Sequence, residues 1–172
     1  MIADIIVRDA REDERAATRE LTVRAYAEYA SIMTPAAWAG LEGAMRSALG
    51  SDERVERIVV ERDGRLVGSV MLYPAAADAY GGAVERGSSP EVRLLAVAPE
   101  ARGVGVGQAL MAECVRRARR AGATELGVHT SESMQIAMRM YERMGFLRAP
   151  DHDFQPPGAE LVKAYRLALC DS

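Results

Sequence analysis

The sequence predicts an α+β domain whose elements run β-α-α-β-β-β-α-β-α-β-β, and three observations carry that prediction. Apolar runs over 58–62 and 66–73 flank Asp63-Gly64, a strong hairpin signal because both central positions of a tight two-residue turn need positive φ. Other segments carry a 3.6-residue apolar period, clearest over 105–120, where Val106, Leu110, Cys114 and Ala118 share one helix face. The run 92–110 passes without interruption from an apolar strand through a short polar link into a glycine-rich helix start.

The remaining elements follow in order. Residues 2–8 are β-rich, and 11–30 carry Ala17, Leu21, Ala25 and Tyr29 at helical spacing. Thr34 is a helix cap with Pro35 at the first helical position, and Gly50 is the stop. Residues 74–90 are rich in alanine, glycine and serine and longer than most connections, so a mobile functional loop and a disordered one both stand as readings. A strand over 91–97 precedes the 105–120 helix, which Gly122 ends. A buried strand over 124–130, a helix over 133–144 stopped by Gly145, and a strand beginning at Phe146 come next. Pro156-Pro157-Gly158 breaks the 151–159 loop, and 161–169 alternates as a final strand.

Composition narrows the function classes. The 172 residues suit one domain over 1–172 with a sizeable core, and no internal repeat is visible. Hydrophobic residues make up 49% and charged residues 27%, the balance of a soluble globular protein, and no stretch is apolar enough to span a membrane. The N-terminal run lacks a basic segment, an apolar segment and a cleavage site, so it reads as a first strand and the expectation is a cytoplasmic protein. Cys114 and Cys170 suggest neither a disulfide framework nor a zinc site. A net charge of −3 argues against general nucleic-acid affinity, and the arginines at 116, 117, 119 and 120 read as a solvated helix face.

The most informative stretch is Arg102-Gly103-Val104-Gly105-Val106-Gly107-Gln108. Its alternating glycines let the backbone approach a ligand, and the free N–H groups and positive dipole end of the helix favour an anion, so the segment reads as a pyrophosphate cradle. A Walker loop is excluded because no lysine or hydroxyl residue follows Gly107. A dinucleotide fingerprint fits poorly, since the spacing is Gly-x-Gly-x-Gly and residues 98–102 separate it from the strand. The pattern that fits is Arg/Gln-x-x-Gly-x-Gly/Ala after Leu-Ala-Val-x-Pro-Glu. Here the chain resembles the GNAT superfamily of acyl-CoA-dependent N-acyltransferases, and its small bacterial-type N-acetyltransferases in particular. Ala137-Met138-Arg139-Met140-Tyr141-Glu142-Arg143-Met144-Gly145-Phe146 is similar to a second segment of that superfamily, at the usual distance from the first. Specific residues match over about 91–147, and the order of elements matches over 2–169.

The resemblance implies a three-layer α/β arrangement: a mixed, mostly antiparallel sheet of six to seven strands, split in a V between the fourth and fifth and flanked by about four helices. It implies acetyl-CoA as co-substrate and no metal. The backbone of Leu95, Ala96 and Val97 would receive the pantetheine arm, and residues Arg102, Gly103, Val104, Gly105, Val106, Gly107 and Gln108 would wrap the phosphates. Tyr141 is the candidate donor to the departing thiolate, because a phenol stays protonated at neutral pH, and the Leu95 N–H would face the developing oxyanion. Two positions offer a base. Glu91 matches a strand-start glutamate used by some members, and His129 falls where others place a glutamate; imidazoles ordinarily accept a proton near neutral pH. Either acts directly or through water, and the choice stays open. Met134 stands where members often have asparagine, which puts one cofactor contact in doubt.

The acceptor pocket is expected from the first two helices and the 74–90 and 151–159 loops. Tyr26, Tyr29, Met33 and Trp38 suit an amphipathic amine, and Asp153, within Asp151-His152-Asp153, offers an acidic edge for a cationic acceptor. Three adjacent residues do not easily converge on one ion, so a metal is not expected there. The reading is an N-acetyltransferase that moves acetyl directly to an amine of a small molecule or protein, with no nucleic acid or membrane partner. The alternative is an acyl-CoA-binding sensor or interaction module that has lost turnover. An exposed final strand would need pairing, and a homodimer, frequent among members, is left open.

Overall fold

The computed structural model describes residues 4–51, 54–77, 79–80 and 87–169. Cys170, Ile2 and part of the 74–90 loop lie outside the described residues. Among the described residues seven strands form one sheet: β1 (Ile5–Asp9), β2 (Glu56–Arg62), β3 (Arg65–Tyr73), β4 (Glu91–Val97), β5 (Glu125–Ser131), β6 (Leu147–Arg148) and β7 (Val162–Ala168). Their spatial order is β1-β2-β3-β4-β5-β7-β6, with β4 and β5 parallel and every other pair antiparallel. Four α-helices flank it: α1 (Arg15–Tyr26), α2 (Pro35–Gly50), α3 (Val106–Arg120) and α4 (Gln135–Arg143).

Local chemistry accounts for these elements. Asp63 and Gly64 take φ of 52° and 72°, the two positive values that a tight hairpin turn demands, and they set the β2–β3 register at Arg62 opposite Arg65. The Thr34 hydroxyl accepts the Ala37 N–H at 3.2 Å, and Pro35 opens α2. The helix expected over 11–30 is shorter. It spans 15–26 and tightens into a 3-10 turn over Ala27–Ser31, which carries Tyr29 beside Tyr26 with ring centroids 5.7 Å apart.

The sheet is covered on both faces, which makes three layers. Strand β3 alternates between them: Val70 and Leu72 pack with Val106, Leu110 and Cys114 of α3, whereas Met71 and Tyr73 pack with Leu21, Met45 and Leu49 of α1 and α2. Burial pushes the Cys114 thiol up to about 12, so it behaves as a small hydrophobe. Arg117 closes the outside of α3 by binding Asp9, Glu56 and Glu113, so the arginine run is partly committed to the fold.

One expectation is corrected. The final strand is not an edge, because β7 pairs with β5 along its whole length and with the two-residue β6 on its other side. The chain doubles back through the 151–159 loop and fills the position beside β5, leaving short β6 outside.

Candidate active site

Strands β4 and β5 pair at only two positions, Glu91 with Gly127 and Val92 with Val128. Just beyond, Leu94 takes φ of 54° and the β3–β4 register slips between Ser69 and Met71, so β4 carries a bulge. Holding a branched residue there costs about 1–3 kcal/mol, and the bulge bends β4 away from its parallel neighbour. A slot of about 40 Å³ opens where they part. Leu94 and Leu95 line it from β4, His129 and Thr130 from β5, Tyr26 and Tyr29 from α1 and the turn after it, and Tyr141 and Ala137 from α4. Beyond Val92 the β4 backbone has no β5 partner, and this is where the resemblance expects Leu95, Ala96 and Val97 to receive a pantetheine arm.

At the far end of β4 a 3-10 turn, Pro99–Ala101, leads into the glycine segment. Gly103 and Gly105 take φ of 78° and 90°, and Gly105 caps α3. Both occupy the left-handed region, so the loop needs their lack of Cβ for conformation, and the free amides from Val106 to Gln108 point out of a 15-residue helix. These features fit a pyrophosphate. The Arg102 side chain does not join them: it binds Glu28 at 2.6 Å and the Ala25 carbonyl at 3.0 Å, tying the loop to α1.

The two candidate bases stand together. His129 Nδ1 lies 2.5 Å from Glu91 Oε1, and Tyr80 donates its hydroxyl to the same oxygen at 2.9 Å. Arg166 on β7 donates to Glu91 Oε2 at 2.7 Å, crossing β5 over Gly127, the residue opposite it in the ladder. A Cβ at position 127 would overlap the Arg166 guanidinium and the Glu91 carboxylate, so this glycine is required by close approach. The other imidazole nitrogen, Nε2, lies 2.9 Å from the His152 carbonyl. Both ring nitrogens therefore lie beside acceptors, an arrangement that can hold the ring once it has taken up a second proton.

Burial is the largest single influence on Glu91 and disfavours its charge, but the hydrogen bond and charge of His129, with those of Arg166, outweigh it and hold the carboxyl below the usual range. Glu91 is thus an ionised carboxylate with both oxygens engaged, suited to orienting His129. Tyr141 is 4% exposed, and burial, the main cause, pushes its phenol well above the usual range. It keeps its proton, and among the described residues its hydroxyl has no hydrogen-bond partner.

Beside the slot lies a chamber of about 330 Å³ between α2 and the 151–159 loop. Its walls include Met33, Leu41, Tyr80, Arg93, Phe154 and Pro157, and it shares Tyr26, His129 and Met134 with the slot. Tyr29 borders the slot alone. Trp38 packs instead with the α1–α2 core, and Asp153 is spent on Arg148 at 2.8 Å and on the Ala164 N–H at 2.7 Å. Sequence reasoning missed Tyr80, Arg93 and Arg166. A lone tyrosine in an alanine- and glycine-rich loop is a faint signal for the first. Arg166 is legible only once Gly127 is known to lie opposite it.

A sheet splayed at one parallel pair, beside a glycine-capped helix start and a buried tyrosine, is the architecture of an acyl-CoA N-acyltransferase. Residues 10–146 match the Acetyltransferase (GNAT) family, and the chain belongs to it. A mycothiol acetyltransferase from Cellulomonas flavigena is 33% identical over 105 residues, which cover 59% of this chain and 30% of that protein; the chain spans about a third of its length. The fold is shared with PaiA N-acetyltransferase from Thermoplasma acidophilum in complex with coenzyme A (TM-score 0.68, 15% identity, 94% of this chain and 98% of that one). It is shared too with a GNAT family acetyltransferase from Brucella melitensis in complex with acetyl-CoA (TM-score 0.62, 19% identity, 99% and 91%). No helix among the described residues is long and apolar enough to cross a membrane.

Proposed function

We propose that this protein is an N-acetyltransferase that moves an acetyl group from acetyl-CoA to a primary amine seated in the 330 Å³ chamber, directly and without a covalent enzyme intermediate. The observation that carries the reading is that Tyr141, His129 and the bulged backbone of β4 border one slot, which shares His129, Leu94 and Arg93 with that chamber. Acetyl-CoA supplies an acetyl group already activated as a thioester. The Gly103–Gln108 amides hold its phosphates, and the unpaired edge of β4 holds its arm. The Leu95 N–H faces the carbonyl oxygen on which charge grows.

His129 takes the proton that the amine must lose, directly or through water. Glu91 and the His152 carbonyl then hold the protonated ring, one at each nitrogen, and Arg166 and Tyr80 keep the Glu91 carboxylate in place. Tyr141 keeps its proton and donates a hydrogen bond to the departing thiolate. In a closed, apolar slot that donation is stronger than it would be in water. Glu91 acts through His129 and is a positioning residue.

Acetyl-CoA binding followed by heat denaturation, and CoA thiol release with a panel of amines, test the reading. Stabilisation with thiol release is the expected result. Stabilisation without release from any amine would make the chain a binding module, and no stabilisation at all would remove the proposal.

A further inference from the structure

Among the described residues, Arg93 brings the only guanidinium or ammonium group to the chamber wall, and it borders the slot as well. Its position is fixed: Nη1 donates to the Ala79 carbonyl at 2.8 Å, and the guanidinium lies 4.9 Å from the centre of the Tyr80 ring. No carboxylate among the described residues pairs with it. Arg8, Arg102, Arg117, Arg148 and Arg166, by contrast, each hold at least one.

Two carboxylates share the chamber region, and neither answers Arg93. Both oxygens of Glu91 are taken, by His129 with Tyr80 and by Arg166. Glu160, also in the chamber wall, accepts from the Ser133 hydroxyl, and among the described residues its second oxygen is buried without a partner. Among the described residues Nε and Nη2 of Arg93 have no partner, which leaves the planar fork that matches a carboxylate. A half-buried guanidinium at an apolar wall is costly to leave unpaired.

We propose that Arg93 is the carboxylate subsite of the acceptor, and that the acceptor is an α-amino acid with an apolar side chain. The inference rests on the transferase reading above. Because Arg93 borders slot and chamber together, an anion bound to it lies beside the place where the amine must react. An α-carboxylate has that relation to its own amine. The side chain then points into the chamber toward Met33, Leu41, Phe154, Pro156 and Pro157, the apolar part of a lining that also carries Thr130, Ser131 and Glu160.

The test uses the purified full chain with acetyl-CoA and three matched pairs: L-methionine, L-leucine and L-phenylalanine, each against its amide. Thiol release should favour the acids by at least about tenfold in kcat/KM, the discrimination expected of one charge-assisted fork. Arg93→Gln should bring acid and amide within about twofold, chiefly by raising KM for the acids, and Arg93→Lys should restore part of the preference. Stabilisation by acetyl-CoA is measured on each variant as a check on folding and on the other ligand. Equal use of acids and amides, preference for the amides, or an acid preference that survives Arg93→Gln overturns the inference and leaves the transferase reading standing. Acetyl-CoA binding with no turnover of any acid also overturns it. Failure to bind acetyl-CoA removes the transferase reading itself.

Discussion

Glu91, at the first position of β4, and His129, on β5, meet through Oε1 and Nδ1 at 2.5 Å across the only stretch where the two strands still pair. Their contact depends on the parallel register, which sets Glu91 beside Gly127, two residues before His129 on the same side of β5. Because the two act as one unit, their losses should not add. Glu91→Gln and His129→Gln are each expected to lower kcat by about 10²-fold or more, and the double variant by little more than the worse single one. Steady-state kinetics on the three variants checks this; additive losses would mean independent roles.

Tyr141 lines the slot with a hydroxyl that has no partner among the described residues and a proton that burial retains. Tyr141→Phe should lower kcat by about 10²-fold while acetyl-CoA stabilises the variant as it does the wild type. Since the phenol is shifted upward, its ionisation removes no activity at mildly alkaline pH. A loss confined to acetyl-CoA affinity would place the tyrosine outside the chemistry.

Gly127 is the crossing point for Arg166. A methyl group there occupies the space of the Arg166–Glu91 pair, so Gly127→Ala should cost about 1–3 kcal/mol of stability and lower turnover along with it. Denaturant unfolding measures the first and thiol release the second. Unchanged values for both would show that Arg166 supports neither Glu91 nor the sheet.

Acid stability has a separate origin at the other end of the sheet. Arg8 binds both oxygens of Glu14, at 2.9 and 2.7 Å, and reaches Glu61 at 2.8 Å. The hydrogen bonds from Arg8 outweigh burial and hold the Glu14 carboxyl at about 2, below its ordinary 4.5. A depressed folded-state value means that the pair's stabilisation is fully present above pH 4.5 and is lost as pH falls toward about 2. Glu14→Gln should therefore lower Tm at neutral pH and flatten the fall in Tm across that acid window. An unaltered acid limb would assign it to other carboxylates.

Much of this was legible in the chain itself. The Asp63-Gly64 turn, the Thr34-Pro35 helix start and the buried face of α3 are local matters, settled by allowed φ, by capping and by a 3.6-residue period. The glycine segment was legible for the same reason, since Gly103 and Gly105 owe their place to backbone conformation. Those signals, with the Tyr141 segment, determined the family and the three-layer fold. What only the tertiary structure decided lies between elements. It set the Leu94 bulge that parts β4 from β5 and joined Glu91 to His129 where the sequence offered them as rivals. It also brought Tyr80 and Arg166 to their aid and turned Asp153 and Trp38 away from the chamber. A side chain's partner across a sheet depends on register and on the path of the chain over long sequence separations, such as the 75 residues between Glu91 and Arg166, and no local pattern encodes that distance.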